Sequence, residues 1–359
     1  MSRGPVGARR YIGEEHTVAT AVRTALGVGA AALATLALAS PDAQAATPAG
    51  SPAHRPSASP NPSATHSAGS TTRPTAGPYA SPSASPSPSP SPSASPSSAP
   101  TPPDVRIRTY AYGSHARQTM DVWWHTAGPR RPAVFVIHGG WWSGGDKKYM
   151  KSISRSYSQL GYTVVNLDYR LSGDAAWPAQ RTDVLTAVNA VRRHAAMFNT
   201  DPGRYVLVGF SAGGHLAAAV GAYGDGRPGL RGVVGISPPV SPLSAFADGS
   251  AFGTKEQQKL RKAAIKLAGG CTPAKCPSVW SSMEVPFHAS PGDPPMLAFH
   301  SAEEFVPPYQ SEMLKEALAS VGVRMTVKTM AGTQHSSPLY REPGVAETVQ
   351  NWIVARLGH

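Results

Sequence analysis

The sequence predicts one α/β domain, a mostly parallel central sheet flanked by helices and carrying a cap-like insertion. Three observations predict it. From Asp104 onward short strand-like runs alternate with helix-like segments. Several of those runs are apolar throughout, as strands buried on both faces are. The stretch before Asp104 is barred from any core by its composition: of 36 prolines in 359 residues, 16 fall between Thr47 and Pro103, together with 16 serines. Such a segment buries too little apolar surface to offset its ordering entropy.

In chain order, residues 1–45 read as an export signal. Arg9, Arg10 and Arg23 lead into the uncharged run Ala25 to Ala39, followed by Ala43-Gln44-Ala45, and cleavage is predicted after Ala45. An uncleaved membrane anchor is the alternative, although a bilayer needs about 20 apolar residues. Arg9-Arg10 invites a twin-arginine reading, but Ala8 before it and Tyr11-Ile12-Gly13 after it fit a general secretory route better. Residues 46–103 form a Pro/Ser-rich linker, extended and hydrated, suited to spacing a domain from a membrane or through a cell wall.

The domain spans residues 104–359. Val105 to Tyr112 and Gln118 to Trp123 alternate apolar and polar residues, as a leading antiparallel pair does. Five buried strands follow at Ala133 to Ile137, Tyr162 to Leu167, Tyr205 to Phe210, Gly232 to Ile236 and Pro295 to Phe299, with a last one at Arg324 to Thr329. Helices are predicted over Ala179 to Ala196, Ala212 to Tyr223 and Val345 to Leu357. The repeated strand–helix–strand order requires right-handed crossovers. Residues 237–293 are too long for a bare connection and read as an insertion over the carboxyl edge of the sheet, with a helical piece near Lys255 to Leu267. Cys271 and Cys276 lie within it and, in an oxidising compartment, form one local disulfide.

Net charge is +12 for the chain, and 27 Lys and Arg stand against 18 Asp and Glu from Asp104 onward. The excess is diffuse. Lys147, Lys148 and Lys151, and the group Lys259, Arg261, Lys262 and Lys266, are locally dense, but neither is interleaved with aromatics as a nucleic-acid surface is. Weak attraction to anionic polymers or membrane surfaces is the reading this supports, and no nucleic-acid partner is expected.

The chemistry concentrates at three loops. Tyr205 to Phe210 runs straight into Gly209-Phe210-Ser211-Ala212-Gly213-Gly214-His215. In a strand-to-helix turn this G-x-S-x-G pattern forces serine into a strained conformation above the sheet, so Ser211 is the candidate nucleophile. The helix behind it offers the Ala212 N–H to a developing oxyanion. Upstream, Ala133 to Ile137 ends in His138-Gly139-Gly140-Trp141-Trp142-Ser143-Gly144-Gly145-Asp146, whose glycines let backbone donors approach one oxygen. The N–H groups of Gly140 and Trp141 are the candidates there. Serine needs a base. His335, in the loop after the final strand, is preferred over His138, His215 and His300, which read as structural, and over His288. The orienting acid should follow a strand between serine and histidine in chain order. Phe299-His300-Ser301-Ala302-Glu303-Glu304-Phe305-Val306-Pro307 offers Glu304, with Glu303 as the alternate, whereas Asp293 precedes the strand and falls at the wrong edge. Trp141, Trp142, Trp177 and Trp280 line a pocket or simply fill the core.

Taken together these residues resemble the α/β-hydrolase superfamily, and within it the esterase branch related to hormone-sensitive lipase and to bacterial feruloyl and acetyl esterases. The resemblance covers about residues 121–359 and rests on His138-Gly139-Gly140, Asp168-Tyr169-Arg170-Leu171, the Ser211 elbow and Gly332-Thr333-Gln334-His335. It implies that the Asp168 tract positions the oxyanion turn. Trp141 replaces the third glycine of the lipase-like pattern, as in feruloyl-esterase-like and kynurenine-formamidase-like enzymes. The acid loop lacks the usual aspartate and is one residue shorter. The expectation is a secreted serine carboxylesterase with a Ser211–His335–Glu304 triad, acting on a small-molecule or polymer-linked ester without metal or cofactor. An amide or peptide hydrolase using the same triad, and a non-catalytic wall-associated binding module, are the alternatives.

Overall fold

The computed structural model describes residues 104–358. The export signal and the linker lie outside the described residues. Eight strands, β1 (Val105–Ala111), β2 (Thr119–His125), β3 (Arg131–Ile137), β4 (Thr163–Leu167), β5 (Thr200–Phe210), β6 (Leu230–Ile236), β7 (Met296–Ser301) and β8 (Met325–Met330), form a single sheet. Its order is β1-β2-β4-β3-β5-β6-β7-β8. β2 runs antiparallel to both β1 and β4, and every pair from β4 to β8 is parallel.

Alternation along the strands sorts side chains onto two cores. In β3 and β5, Val134, Val136, Val206 and Val208 face one layer, made by α1 (Lys151–Gln159) and α9 (Val345–Leu357) through Ile153, Tyr157, Val349 and Ile353. Phe135, Ile137, Tyr205 and Leu207 face the other, where α2 (Ala179–Arg193), α3 (Ala212–Ala222) and α7 (Tyr309–Ser320) supply Val184, Val188, Leu216, Val220, Leu314 and Leu318. Covering both faces explains why β4 is buried at every position, whereas β1 and β8, at the sheet edges, stay largely exposed or alternate.

Differences from the sequence reading have local causes. α2 stops at Arg193, because Thr200 N donates to Ala195 O and draws the chain into β5. β5 begins at Thr200, pairing with Arg131 ahead of its apolar stretch. The layer helices α1 and α7 are additional to those read from the sequence. Residues 237–293 contain α4 (Pro242–Asp248), α5 (Lys255–Leu267), α6 (Pro277–Met283) and a disulfide between Cys271 and Cys276. Trp280 is fully buried there and donates to Cys271 O. α8 (Ser337–Arg341) precedes α9.

The chain proceeds from β3 outward to β4 and then crosses back to β5, on the other side of β3. At such a reversal the loops leaving two adjacent parallel strands diverge and open a crevice at their carboxyl ends. Those two loops are the glycine-rich turn after β3 and the serine turn after β5.

Candidate active site

Ser211 is the single residue between β5 and α3, with φ 50° and ψ −120°. A side chain there sits in a sparsely populated region, at a cost of about 1–3 kcal/mol. The turn is held because Ser211 N donates to Ile236 O and its carbonyl accepts from Gly214 N and His215 N. It tolerates no bulk: a Cβ on Gly213 would lie 2.3 Å from Ile137 O, and one on Gly139 would lie 2.7 Å from Phe210 O. The β3 turn and the β5 turn therefore abut through bare backbone.

Across the crevice, His335 follows β8. Its Nε2 lies 2.8 Å from Ser211 Oγ, and its Nδ1 is hydrogen-bonded to Glu304 Oε2. Three pins hold the loop. Ser301 Oγ donates to Gln334 O, Ser336 N donates to Ser237 Oγ at 2.9 Å, and Glu303 N donates to Gly332 O. Ser336 and Ser237 both have positive φ, as do Trp141 and Trp142. Counting Ser211, five of the seven non-glycine residues with positive φ among the described residues lie at this crevice. Local strain is concentrated where the side chains converge.

Of the two adjacent glutamates, Glu304 is the one that reaches His335; Glu303 is exposed. The other Glu304 oxygen, Oε1, accepts from Ser301 N at 3.1 Å and from His300 Nδ1 at 2.9 Å. His300 is buried, and its Nε2 meets Ser311 Oγ at 2.8 Å. Burial alone would raise the Glu304 carboxyl, but the hydrogen bonds and charge of His300 and His335 outweigh it and hold it below the usual glutamate value. The carboxylate stays ionised and its lone pairs are matched to three donors. His300 as a partner of Glu304 was missed in reading the sequence. The spacing of four residues across the end of a strand was the available signal.

The remaining candidates separate cleanly. His138 Nδ1 contacts Gly139 O at 2.7 Å, Nε2 lies 3.2 Å from Asp168 Oδ1, and the ring stacks on Tyr169. His215 accepts from Trp142 Nε1 at 3.1 Å and contacts Met283 O at 2.9 Å; burial pushes it down to about 4, so it is neutral. It fastens the second tryptophan of the β3 turn to α3. His288 packs on Tyr223. Asp168 accepts from Lys147 N at 2.8 Å, and Tyr169 OH donates to His138 O at 3.1 Å. The end of β4 is thereby tied to both ends of the glycine-rich turn. Trp142, Trp177 and Trp280 are core residues; Trp141 is partly exposed, stacked on Phe305 at 4.9 Å, and Phe305 lies 4.2 Å from the His335 ring. Among the described residues, the N–H groups of Gly140, Trp141 and Ala212 donate to no acceptor.

A mostly parallel eight-stranded sheet with a serine at this strand-to-helix turn defines the α/β-hydrolase fold. The BD-FAE family model matches residues 120–318, more than half of the chain, and the chain belongs to that family. Esterase LipC of Mycobacterium tuberculosis is 32% identical over 120 residues, which are 33% of this chain and 30% of that protein. Versiconal hemiacetal acetate esterase of Dothistroma septosporum is 32% identical over 124 residues, 33% of this chain and 37% of that protein. The chain thus spans about a third of the length of these curated relatives. Among solved structures, a truncated carbohydrate esterase from gut microbiota superposes with a TM-score of 0.61 at 23% identity, over 72% of this chain and 99% of that one. Esterase B from Lactobacillus rhamnosis does so with 0.60 at 20% identity, over 71% and 86%. These two share the fold.

Proposed function

We propose that the chain is an exported serine carboxylesterase that works through an acyl-enzyme. The observation that carries this reading is the contact of Ser211 Oγ with His335 Nε2 at 2.8 Å, with Glu304 at the opposite ring nitrogen. Glu304 fixes the tautomer in which Nδ1 bears hydrogen, leaving the Nε2 lone pair toward the serine hydroxyl. His335 accepts the proton as Oγ attacks the ester carbonyl, and Glu304 stabilises the imidazolium. The unengaged N–H groups of Gly140, Trp141 and Ala212 take the oxyanion, where each such donor is worth on the order of 10²–10³ in kcat. His335 then protonates the leaving alkoxide, and water attacks the acyl-enzyme by the same route. The names of the curated relatives, carboxylic ester hydrolases, support the bond type.

Export is supported by the signal-like residues 1–45, by the Pro/Ser-rich tether, which is suited to a wall-associated position, and by the local disulfide. The substrate is a small-molecule or polymer-linked ester. Ser211→Ala should abolish hydrolysis of p-nitrophenyl acetate and labelling by a fluorophosphonate. Wild-type hydrolysis by that variant would refute the assignment, and faster turnover of aminoacyl anilides than of acyl esters would replace the ester with an amide.

A further inference from the structure

The lysine group of the insertion takes no part in the chemistry above. Lys255, Lys259, Lys262 and Lys266 follow one another at intervals of four, three and four residues along α5, which puts them on one face of the helix. All four are exposed, and among the described residues none forms a salt bridge. Leu260, Ala263, Ala264 and Leu267 occupy the buried face. At a rise of 1.5 Å per residue the stripe is about 16 Å long.

Its position relates it to the crevice. The Lys259 ammonium stands 4.6 Å over the Trp141 ring, Trp141 stacks on Phe305, and Phe305 lies against His335. Lys266 reaches the loop after β4, where its Nζ would lie 3.4 Å from a Cβ on Gly173. Phe252, ahead of the helix, is 99% exposed.

We propose that this face of α5 is a rail for an acidic polysaccharide, and that the esters taken by the site are carried on a polymer bearing uronate carboxylates. The proposal rests on the esterase reading and names its substrate class. Four cations that form no salt bridge among the described residues, spread over about 16 Å, match repeated negative charges along a chain better than a single charge on an acyl group. Phe252 adds an exposed apolar ring face of the kind that packs on the C–H face of a pyranose; a polyol-phosphate chain, which has no ring in its backbone, offers no such face. An anionic membrane is the less suited partner, because the apolar face that an interfacial helix would insert is occupied by the domain's own core.

The test uses the full chain in two arms. In native gels cast with polygalacturonate, the wild type should be retarded at low salt and released as salt screens the contacts, with no retardation in neutral xylan. The triple variant K255Q/K262Q/K266Q should lose the retardation, and the matching Lys→Arg triple should keep it. In the kinetic arm, the ratio of kcat/KM on acetylated polygalacturonate to that on p-nitrophenyl acetate should fall about tenfold in the Gln triple, mainly through KM. Equal retardation in both polysaccharides, an unchanged ratio, or retention on phosphatidylglycerol vesicles without retention on polygalacturonate would overturn the proposal. Wild-type chain that is retarded but hydrolyses no ester would instead overturn the esterase reading, leaving the rail intact.

Discussion

Replacing Glu304 by glutamine changes one atom and tests the whole hydrogen-bond chain. In the native arrangement Oε1 has two donors, His300 Nδ1 and Ser301 N, and Oε2 has one, His335 Nδ1. An amide offers one acceptor oxygen and one NH₂. Turning the NH₂ toward His300 and Ser301 sets donor against donor twice, whereas turning it toward His335 does so once. With about 1.5–3 kcal/mol for a hydrogen bond to a charged group, the second orientation dominates. His335 then relieves the conflict by moving its proton to Nε2, which faces Ser211 Oγ with a hydrogen in place of a lone pair. The negative charge beside the imidazolium is lost as well. Wrong-tautomer variants of serine hydrolases fall about 10⁴-fold in kcat, equivalent to roughly 5 kcal/mol of transition-state stabilisation. E304Q should therefore retain fold and KM for p-nitrophenyl acetate, with kcat down about 10³–10⁴-fold by a stopped assay with active-site titration. E303Q, altering an exposed side chain, should stay within about twofold of wild type. An E304Q kcat within tenfold of wild type would refute the reasoning, and a collapse confined to E303Q would transfer the role to its neighbour.

Three further outcomes follow from the same geometry. H300L removes a donor from a buried carboxylate, at about 1.5–3 kcal/mol, and should lower kcat roughly tenfold or more, with partial recovery in H300Q, whose amide can donate to Oε1; equal kcat in wild type and H300L would dismiss a positioning role. Glu304 is held below its unfolded value near 4.5, so it stabilises the fold above that pH and the contribution fades as pH falls through the folded value. Between pH 6 and about 3 the melting temperature of E304Q should accordingly drop less than that of wild type. Glu284 behaves oppositely: burial pushes it up to about 7, although its hydrogen bonds from Ser241 and Leu243 N oppose the shift. Its neutral form suits the fold, so stability is full below about 4.5 and is lost as pH rises toward 7. E284Q keeps an oxygen for Leu243 N and should be more stable than wild type at pH 8, by about 3 kcal/mol or less, but not at pH 4; denaturation midpoints at the two pH values decide.

Much of the centre of the molecule was legible because one physical pattern produces it. Strands covered on both sides must be largely apolar, so the middles of β3 to β7 show as apolar runs, and glycines crowd where two backbones must touch, which marks the β3 and β5 turns. Edges and layers were harder. β8 alternates and carries Lys328 and two threonines, and α1 is Ser-rich; its fit to the sheet comes from Ile153 and Tyr157, which the local sequence does not distinguish. The acid showed the same limit. Glu303 and Glu304 are chemically identical neighbours, and only the backbone turn, in which Glu303 N donates to Gly332 O, decides which carboxylate points inward. Likewise the use of Ser237 and Ser301 as pins depends on strands far apart in sequence being adjacent in the sheet.

Ser237 has a practical bearing on domain grafting. The insertion departs from β6 and rejoins at β7, two neighbouring strands, so its helices invite exchange for those of a homologue with other substrate preferences. A junction placed at the last strand residue, Ile236, would discard the hydroxyl that receives Ser336 N and leave the His335 loop unanchored on that side. Splicing after Pro239 and before Asp293 keeps that anchor in every chimaera, so the helices of the insertion are exchanged while Ser211, Glu304 and His335 stay with the recipient.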